Sequence, residues 1–261
     1  MRLQITLNHR PNQVLPINYQ YLISSWIYRT LGNADSEFAR QLHNQGYDFG
    51  GKHYKLFTFS SLQPQWYDID KQAKTFILTR SPTTIALSFY IEDALQHFVV
   101  GLFQDLKFTL SSGTAFQVDF EVASIEVLPK PAFQPTMRFS LQTPICISQD
   151  REGERYAQYL HPEDKDYATL LVQNLLRKQQ ALQAIPTSQA NTPLALPVTL
   201  FRLLSTPKRS PRTIKNIKVI GYVFDFELSA PVELLELGYY GGFGEKNSSL
   251  GMGMGNLKNG N

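Results

Sequence analysis

Five histidines, one cysteine and a glycine-rich loop limit what chemistry this chain can do. The histidines are His9, His43, His53, His97 and His161. Near neutral pH each could give or take a proton. His43 sits in "FARQLHNQG", at the end of a helical pattern, where the helix dipole favours the protonated ring. His97 lies within an apolar helical run and reads as a core or cap histidine. Lys52, His53 and Lys55 follow closely in "GGKHYKLFTFS", with Lys55 opening an alternating strand. There is no HExxH, no paired acidic cluster and no Cys/His cluster, so no metal-site motif is present. Cys146 alternates with Ile145 and Ile147, and one cysteine excludes a disulfide framework.

Near the C-terminus, "GYYGGFGEKNSSLGMGMG" carries glycines at 242, 244, 251 and 253 among others, with Lys246 between them. The GK[ST] of a Walker loop is missing, and no helix follows to complete a dinucleotide fingerprint. Glycines let backbone approach a ligand closely, and consecutive N–H groups can cradle an anion. The loop is expected either to hold a ligand such as an RNA backbone or to pack between domains. The strongest electrostatic feature is "PKRSPRTIKNIK", with Lys208, Arg209, Arg212, Lys215 and Lys218 and no acid. It reads as a basic hairpin between strands. Overall the chain is only mildly basic, with net charge +3 and a pI near 8.8, so local clusters must carry any nucleic-acid argument.

Two halves must position these groups. The 261 residues allow one large domain or two of about 130. "MRLQITLN" alternates apolar and polar residues, as a half-buried strand does, and "MRFSLQTP" repeats that opening from Met137. The proline-rich "LPKPAFQP" between them reads as a linker, giving domains 1–130 and 136–261.

In the first half, Tyr19–Leu31 and Asp35–Asn44 read as helices. Tyr21, Ser24, Ser25 and Tyr28 are expected on the polar face of the first. Strand-like runs "KLFTFSSL", "TFILT" and "TIALSFYI" follow, then the helix "DALQHFVVGLF" and the strands "KFTLS" and "FQVDFEVASIEVL". In the second half, "MRFSLQTPICIS" is expected as a strand, Tyr167–Leu182 as a helix, "VTLFRLL" and "VIGYVFDFEL" as strands and "PVELLELGYY" as a short helix. Segments 145–165 and 183–197 read as irregular. Each half suits an α+β, β-α-β-β-α-β arrangement, so the expected architecture is two tandem ferredoxin-like domains. No apolar run approaches the ~20 residues of a membrane span, and the opening strand is not a signal peptide. A cytoplasmic protein is expected.

Three stretches, "VLPINYQYLISSWIYRTL", "FARQLHNQGYDFGGKHYKLFTFSSL" and the glycine loop, resemble the CRISPR repeat-processing endoribonucleases, the Cas-six family. The resemblance implies tandem ferredoxin-like domains, no cofactor, and cutting of CRISPR repeat RNA without metal to leave 2′,3′-cyclic phosphate and 5′-hydroxyl ends. It implies catalytic roles for His43, Tyr28 and Lys55. Lys52 is an alternative for the lysine, and His53 competes with His43. RNA contacts are expected from Lys52, Lys208, Arg209, Arg212, Lys215, Lys218, Gly242, Gly244, Lys246, Gly251 and Gly253. Subunits of a CRISPR effector complex and a second copy of the chain are further expected partners. The alternative of another class is a non-catalytic RNA-binding subunit of the same fold.

Overall fold

A computed structural model describes residues 1–113, 116–150, 157–183, 200–214 and 217–258. In chain order the elements begin β1 (Arg2–His9), β2 (Gln13–Pro16), α1 (Gln20–Ala34), α2 (Ser36–Asn44), β3 (Tyr47–Phe49), β4 (Lys52–Tyr54), β5 (Phe57–Phe59) and β6 (Gln63–Asp70). Then come β7 (Thr75–Phe89), α3 (Glu92–Gln104), β8 (Lys107–Ser112), β9 (Phe116–Leu128), β10 (Thr136–Leu141), β11 (Ser148–Gln149), β12 (Gln158–Tyr159) and α4 (Tyr167–Leu182). The chain continues through β13 (Leu200–Leu203), β14 (Lys208–Ile214), β15 (Ile217–Val223), β16 (Asp225–Ser229), α5 (Val232–Gly241) and β17 (Gly255–Leu257).

The chain divides into two units. One holds Met1–Asn44 and Phe59–Lys130; the other holds Gln45–Thr58 and Pro131–Asn261. A division at the proline-rich stretch alone would assign residues 45–58 to the first half, but they group with the second unit.

In the first unit, β1 lies between β7 and β9, and β6 pairs with the other side of β7, all antiparallel. The order β9–β1–β7–β6, with α1 and α3 as the crossovers, is that of a β-α-β-β-α-β sheet. The alternation of "RLQITLNH" is what buries Leu3, Ile5 and Leu7 completely. The helices α1 and α3 pack at unusually close range. A Cβ on Gly101 would sit 1.8 Å from the carbonyl oxygen of Thr30. Ser24, expected on a polar face, is buried because α1 is covered along more than one stripe. The two expected runs around Arg80-Ser81-Pro82 form one strand, β7, which pairs with β2 through 75–78 and with β1 through 83–88.

The second unit repeats the pattern. Its sheet order is β13–β16–β10–β17, with α4 and α5 as crossovers. Both units are thus ferredoxin-like, as expected from the sequence. The strand expected over 137–148 ends at Leu141, because the N–H groups of Gln142 and Thr143 both turn to the carbonyl of Met254. The expected strand "VIGYVFDFEL" is two strands broken at Phe224, the first half belonging to the β14–β15 hairpin. Cys146 is buried against Val219 and Met252, as its alternation predicts, and burial raises its thiol to about 12. Among the described residues, no helix is long and apolar enough to cross a membrane.

Candidate functional site

In the first unit, two helices bring a phenol to an imidazole. Asp35 starts α2 by accepting the Phe38 N–H on its carboxylate at 2.9 Å, which satisfies a donor that the helix leaves open. From there Ala39 and Leu42 face inward and His43 falls in the last turn, exposed. The His43 ring meets Tyr28 of α1 edge to face, centroids 4.8 Å apart and planes at 84°. His43 Nδ1 lies 3.0 Å from Asn44 Oδ1. With the proton on Nδ1 donated to that oxygen, Nε2 is the ring nitrogen that carries the lone pair. Asn44 escaped the sequence reading, though its position next to the histidine was visible. Tyr28 is half-buried, whereas Ile23 and Ile27 of the same helix are fully buried. His97 is half-buried against Phe38, centroids 4.6 Å apart, in keeping with a packing role.

In the second unit, the β3–β4 hairpin displays the other candidates. It pairs Tyr47 with Tyr54 and Phe49 with Lys52, so Lys52 and His53 follow directly from the turn and are exposed. Lys52 Nζ donates to Glu245 Oε1 at 2.8 Å. His53 Nδ1 lies 3.3 Å from Asp48 Oδ2. Lys55 is half-buried, and burial holds its ammonium below the ordinary lysine value. Glu245 is the hub here. Its second oxygen accepts from both the backbone N–H and the hydroxyl of Ser148, at 3.1 and 2.8 Å. Burial pushes its carboxyl up, but Lys52, Ser148 and Lys246 outweigh that and hold it below the usual range. Lys246 donates to the Ser148 hydroxyl at 2.9 Å.

The glycine loop is packed rather than loose. Gly242, Gly244, Gly251 and Gly253 all have positive φ and are all buried. At Gly253 no side chain fits, since a Cβ would meet the carbonyl oxygen of Phe243 at 1.7 Å. Phe243 donates its N–H back to Gly253 at 2.8 Å, and Glu245 donates to Cys146 O at 2.9 Å, so the loop closes on itself and on the segment just before β11. The residues it leaves at the surface are Lys246 to Leu250. These glycines therefore shape the loop, and the groups available to a ligand are the side chains between them.

One residue of this region was missed altogether. Lys178 of α4 is 2% exposed, and its Nζ donates to the carbonyls of Gly242 and Gly244 at 2.6 and 2.9 Å. Burial lowers its ammonium to about 7. In the sequence it sits among Arg177, Gln179 and Gln180 and reads as solvated. The signal that could have found it is spacing, for it falls three residues after Leu175 and seven after Leu171 on the buried stripe.

The basic run forms the expected antiparallel hairpin, β14–β15. Its register puts Arg209 and Lys218 on one face, with Lys208 and Arg212 on the other. Lys208, Arg209 and Lys218 are exposed and Arg212 is half-buried. Lys215 lies outside the described residues. Among the described residues, no three His, Cys, Asp or Glu side chains are grouped to hold a metal ion.

Known proteins match the chain along most of its length. The model for the C-terminal part of CRISPR associated protein Cas6 matches residues 128–257, and that for the N-terminal part matches 14–125. The chain is 27% identical over 260 residues to CRISPR-associated endoribonuclease Cas6 1 of Methanocaldococcus jannaschii, covering 97% of this chain and 91% of that one. It is 26% identical over 241 residues to CRISPR-associated endoribonuclease Cas6 of Pyrococcus furiosus, covering 92% and 82%. A solved Cas6-related protein from Pyrococcus furiosus shares the fold with a TM-score of 0.79 at 24% identity, over 99% of this chain and 98% of that one.

Proposed function

The chain belongs to the Cas6 family of CRISPR-associated proteins, and from that premise we propose that it is an endoribonuclease that processes CRISPR repeat RNA. The observation that carries the proposal is the meeting of Tyr28 and His43, an imidazole and a phenol brought together from two helices at an exposed edge.

In the proposed reaction the ribose 2′-hydroxyl loses its proton and its oxygen attacks the adjacent phosphorus. The P–O5′ bond breaks, and the leaving 5′-oxygen takes up a proton. The products are a 2′,3′-cyclic phosphate and a 5′-hydroxyl. Because the nucleophile is already in the substrate, the step asks for proton transfer and charge stabilisation rather than for a metal-bound hydroxide. His43 carries one of the two proton transfers, and the Asn44 contact sets which ring nitrogen is available for it. Tyr28, beside His43, stabilises the charge that develops on the phosphorane oxygens; the lysine that the family resemblance implies for such a role is Lys55, in the second unit. Lys55 is favoured over Lys52 for this role because Lys52 is held by the Glu245 carboxylate, which offsets its charge. His53 is disfavoured as the proton carrier because Asp48 engages it.

Binding is assigned to Lys52, Lys246 and the exposed cations of the β14–β15 hairpin, which suit the phosphates of a repeat. A cytoplasmic location belongs to the same proposal. The test is cleavage of labelled repeat RNA in chelator by wild type and His43→Ala. A single cut by wild type, with cyclic phosphate ends and a loss of about 100-fold or more in the variant, is the expected result. Binding without cutting by both proteins would make the chain a binding subunit instead. Strong cutting by the variant would move the proton transfer to another residue.

A further inference from the structure

Lys178 stands out as a cation buried where an apolar side chain would pack. It occupies the inward stripe of α4 with Leu171 and Leu175, yet keeps an ammonium there. Burying such a group is costly unless its N–H donors are satisfied, so its two partners matter. They are the carbonyls of Gly242 and Gly244, which bracket Phe243 at the entrance of the glycine loop. Both carbonyls belong to residues with positive φ, 87° and 94°, a backbone conformation that favours glycine. The next residue, Glu245, is partly buried with its carboxylate on Lys52 and Ser148, and the surface residues follow from Lys246. Lys178 thus grips the loop just before its surface side chains start.

The same lysine lines a cavity of about 280 Å³ within the second unit, together with Lys52, Lys55, Lys246, Ser248 and the Glu245 carboxylate. Four amines face one carboxylate there, an excess of positive charge that suits a phosphodiester. Burial depresses the ammonium groups of both Lys55 and Lys178, and an entering anion would relieve that cost at each.

We propose that Lys178 is a positioning residue for RNA binding: by pinning the Gly242 and Gly244 carbonyls it presets residues 245–249 as one wall of a phosphate pocket completed by Lys52 and Lys55. This rests on the RNA-processing function above. Lys178 acts through the loop, and Lys246 is the group whose placement depends on it.

The experiment is a double-mutant cycle on the full chain, with labelled repeat RNA as the probe. Wild type, Lys178→Met, Lys246→Ala and the double variant are compared for Kd and for single-turnover cleavage at saturating RNA. Lys178→Met is expected to weaken binding about tenfold or more, with the rate at saturation within about threefold of wild type. Adding Lys246→Ala to it is expected to cost less than about twofold further, because the lysine is no longer held in place. Independent, multiplicative losses overturn the proposal, as does an unchanged Kd in folded Lys178→Met. If Lys178→Met does not fold, Lys178→Gln, which keeps one amide donor for a carbonyl, goes through the same cycle with the same criteria. A wild type that binds but does not cut leaves the positioning role standing and removes the catalytic one. A wild type that binds no repeat RNA removes both.

Discussion

The ring of His43 stands edge-on to Tyr28, centroids 4.8 Å apart with planes at 84°, so the phenol ring both faces and props the imidazole. Two contributions can be separated here, ring packing and hydroxyl chemistry. Tyr28→Phe keeps the first and deletes the second. It should lower single-turnover cleavage by about tenfold or more, with unfolding free energy changed by less than ~0.5 kcal/mol. Full activity in Tyr28→Phe, with loss only in Tyr28→Ala, would reduce the tyrosine to a prop.

The hairpin cations make a salt-dependence prediction. Arg209 and Lys218 share one face of β14–β15. If both contact phosphates, Arg209→Ala with Lys218→Ala should reduce the slope of log K against log salt by roughly 0.7–0.9 per contact removed. An unchanged slope in filter-binding titrations across salt would take the hairpin off the RNA path.

Glycine substitutions separate shape from contact. Gly253→Ala forces a Cβ against the Phe243 carbonyl oxygen at 1.7 Å, at a φ of +76°. Gly51 has a similar φ of +73° but open space around its would-be Cβ. Gly51→Ala should cost only about 1–2 kcal/mol, the left-handed backbone penalty. Gly253→Ala should cost clearly more in denaturant unfolding, since the clash adds to the same penalty. Equal costs would mean that the loop yields easily there.

Lys178 also predicts how stability depends on pH. Its ammonium is lowered from 10.5 to about 7 in the fold by burial. Between those values the unfolded chain holds a proton that the folded chain does not, so stability rises with pH across the window. Compared with Lys178→Met, the wild type should gain stability from pH 7 to 9 in matched denaturant melts. A flat difference between the two would show that the carbonyl bonds keep the lysine charged throughout.

Periodic elements were legible in the sequence. The helix at Tyr167–Leu182 and the strand at Phe116–Leu128 have the bounds their apolar spacing predicts, because burial on one face writes a local pattern. The basic run was legible as a hairpin for a related reason, lying between two strand-like segments. What could not be read were relationships across the chain. Lys52 finds Glu245 193 residues away, and nothing local to either residue announces the other. Lys178 was hidden because residue type argued for water while position argued for the core, and position won. The glycine loop reads from the sequence as one that holds a ligand or packs between domains, but its glycines are explained by the crowding of Phe243, Ile145 and Cys146 around them, which only the folded chain reveals.

The excursion of residues 45–58 into the second unit ties the order of synthesis to the order of folding. The strands of the first unit are all made once Leu128 has been translated. The segment 45–58 emerges early yet must wait for partners such as Glu245 and Met252, near the far end of the chain. Its hydrogen bonds to those partners reach across 193 and 194 residues of chain. A fragment ending at Lys130 would carry this segment without the unit it belongs to. The two halves of the sequence are therefore poor candidates for separate expression, and shuffling them between homologues would need to move 45–58 with the C-terminal part.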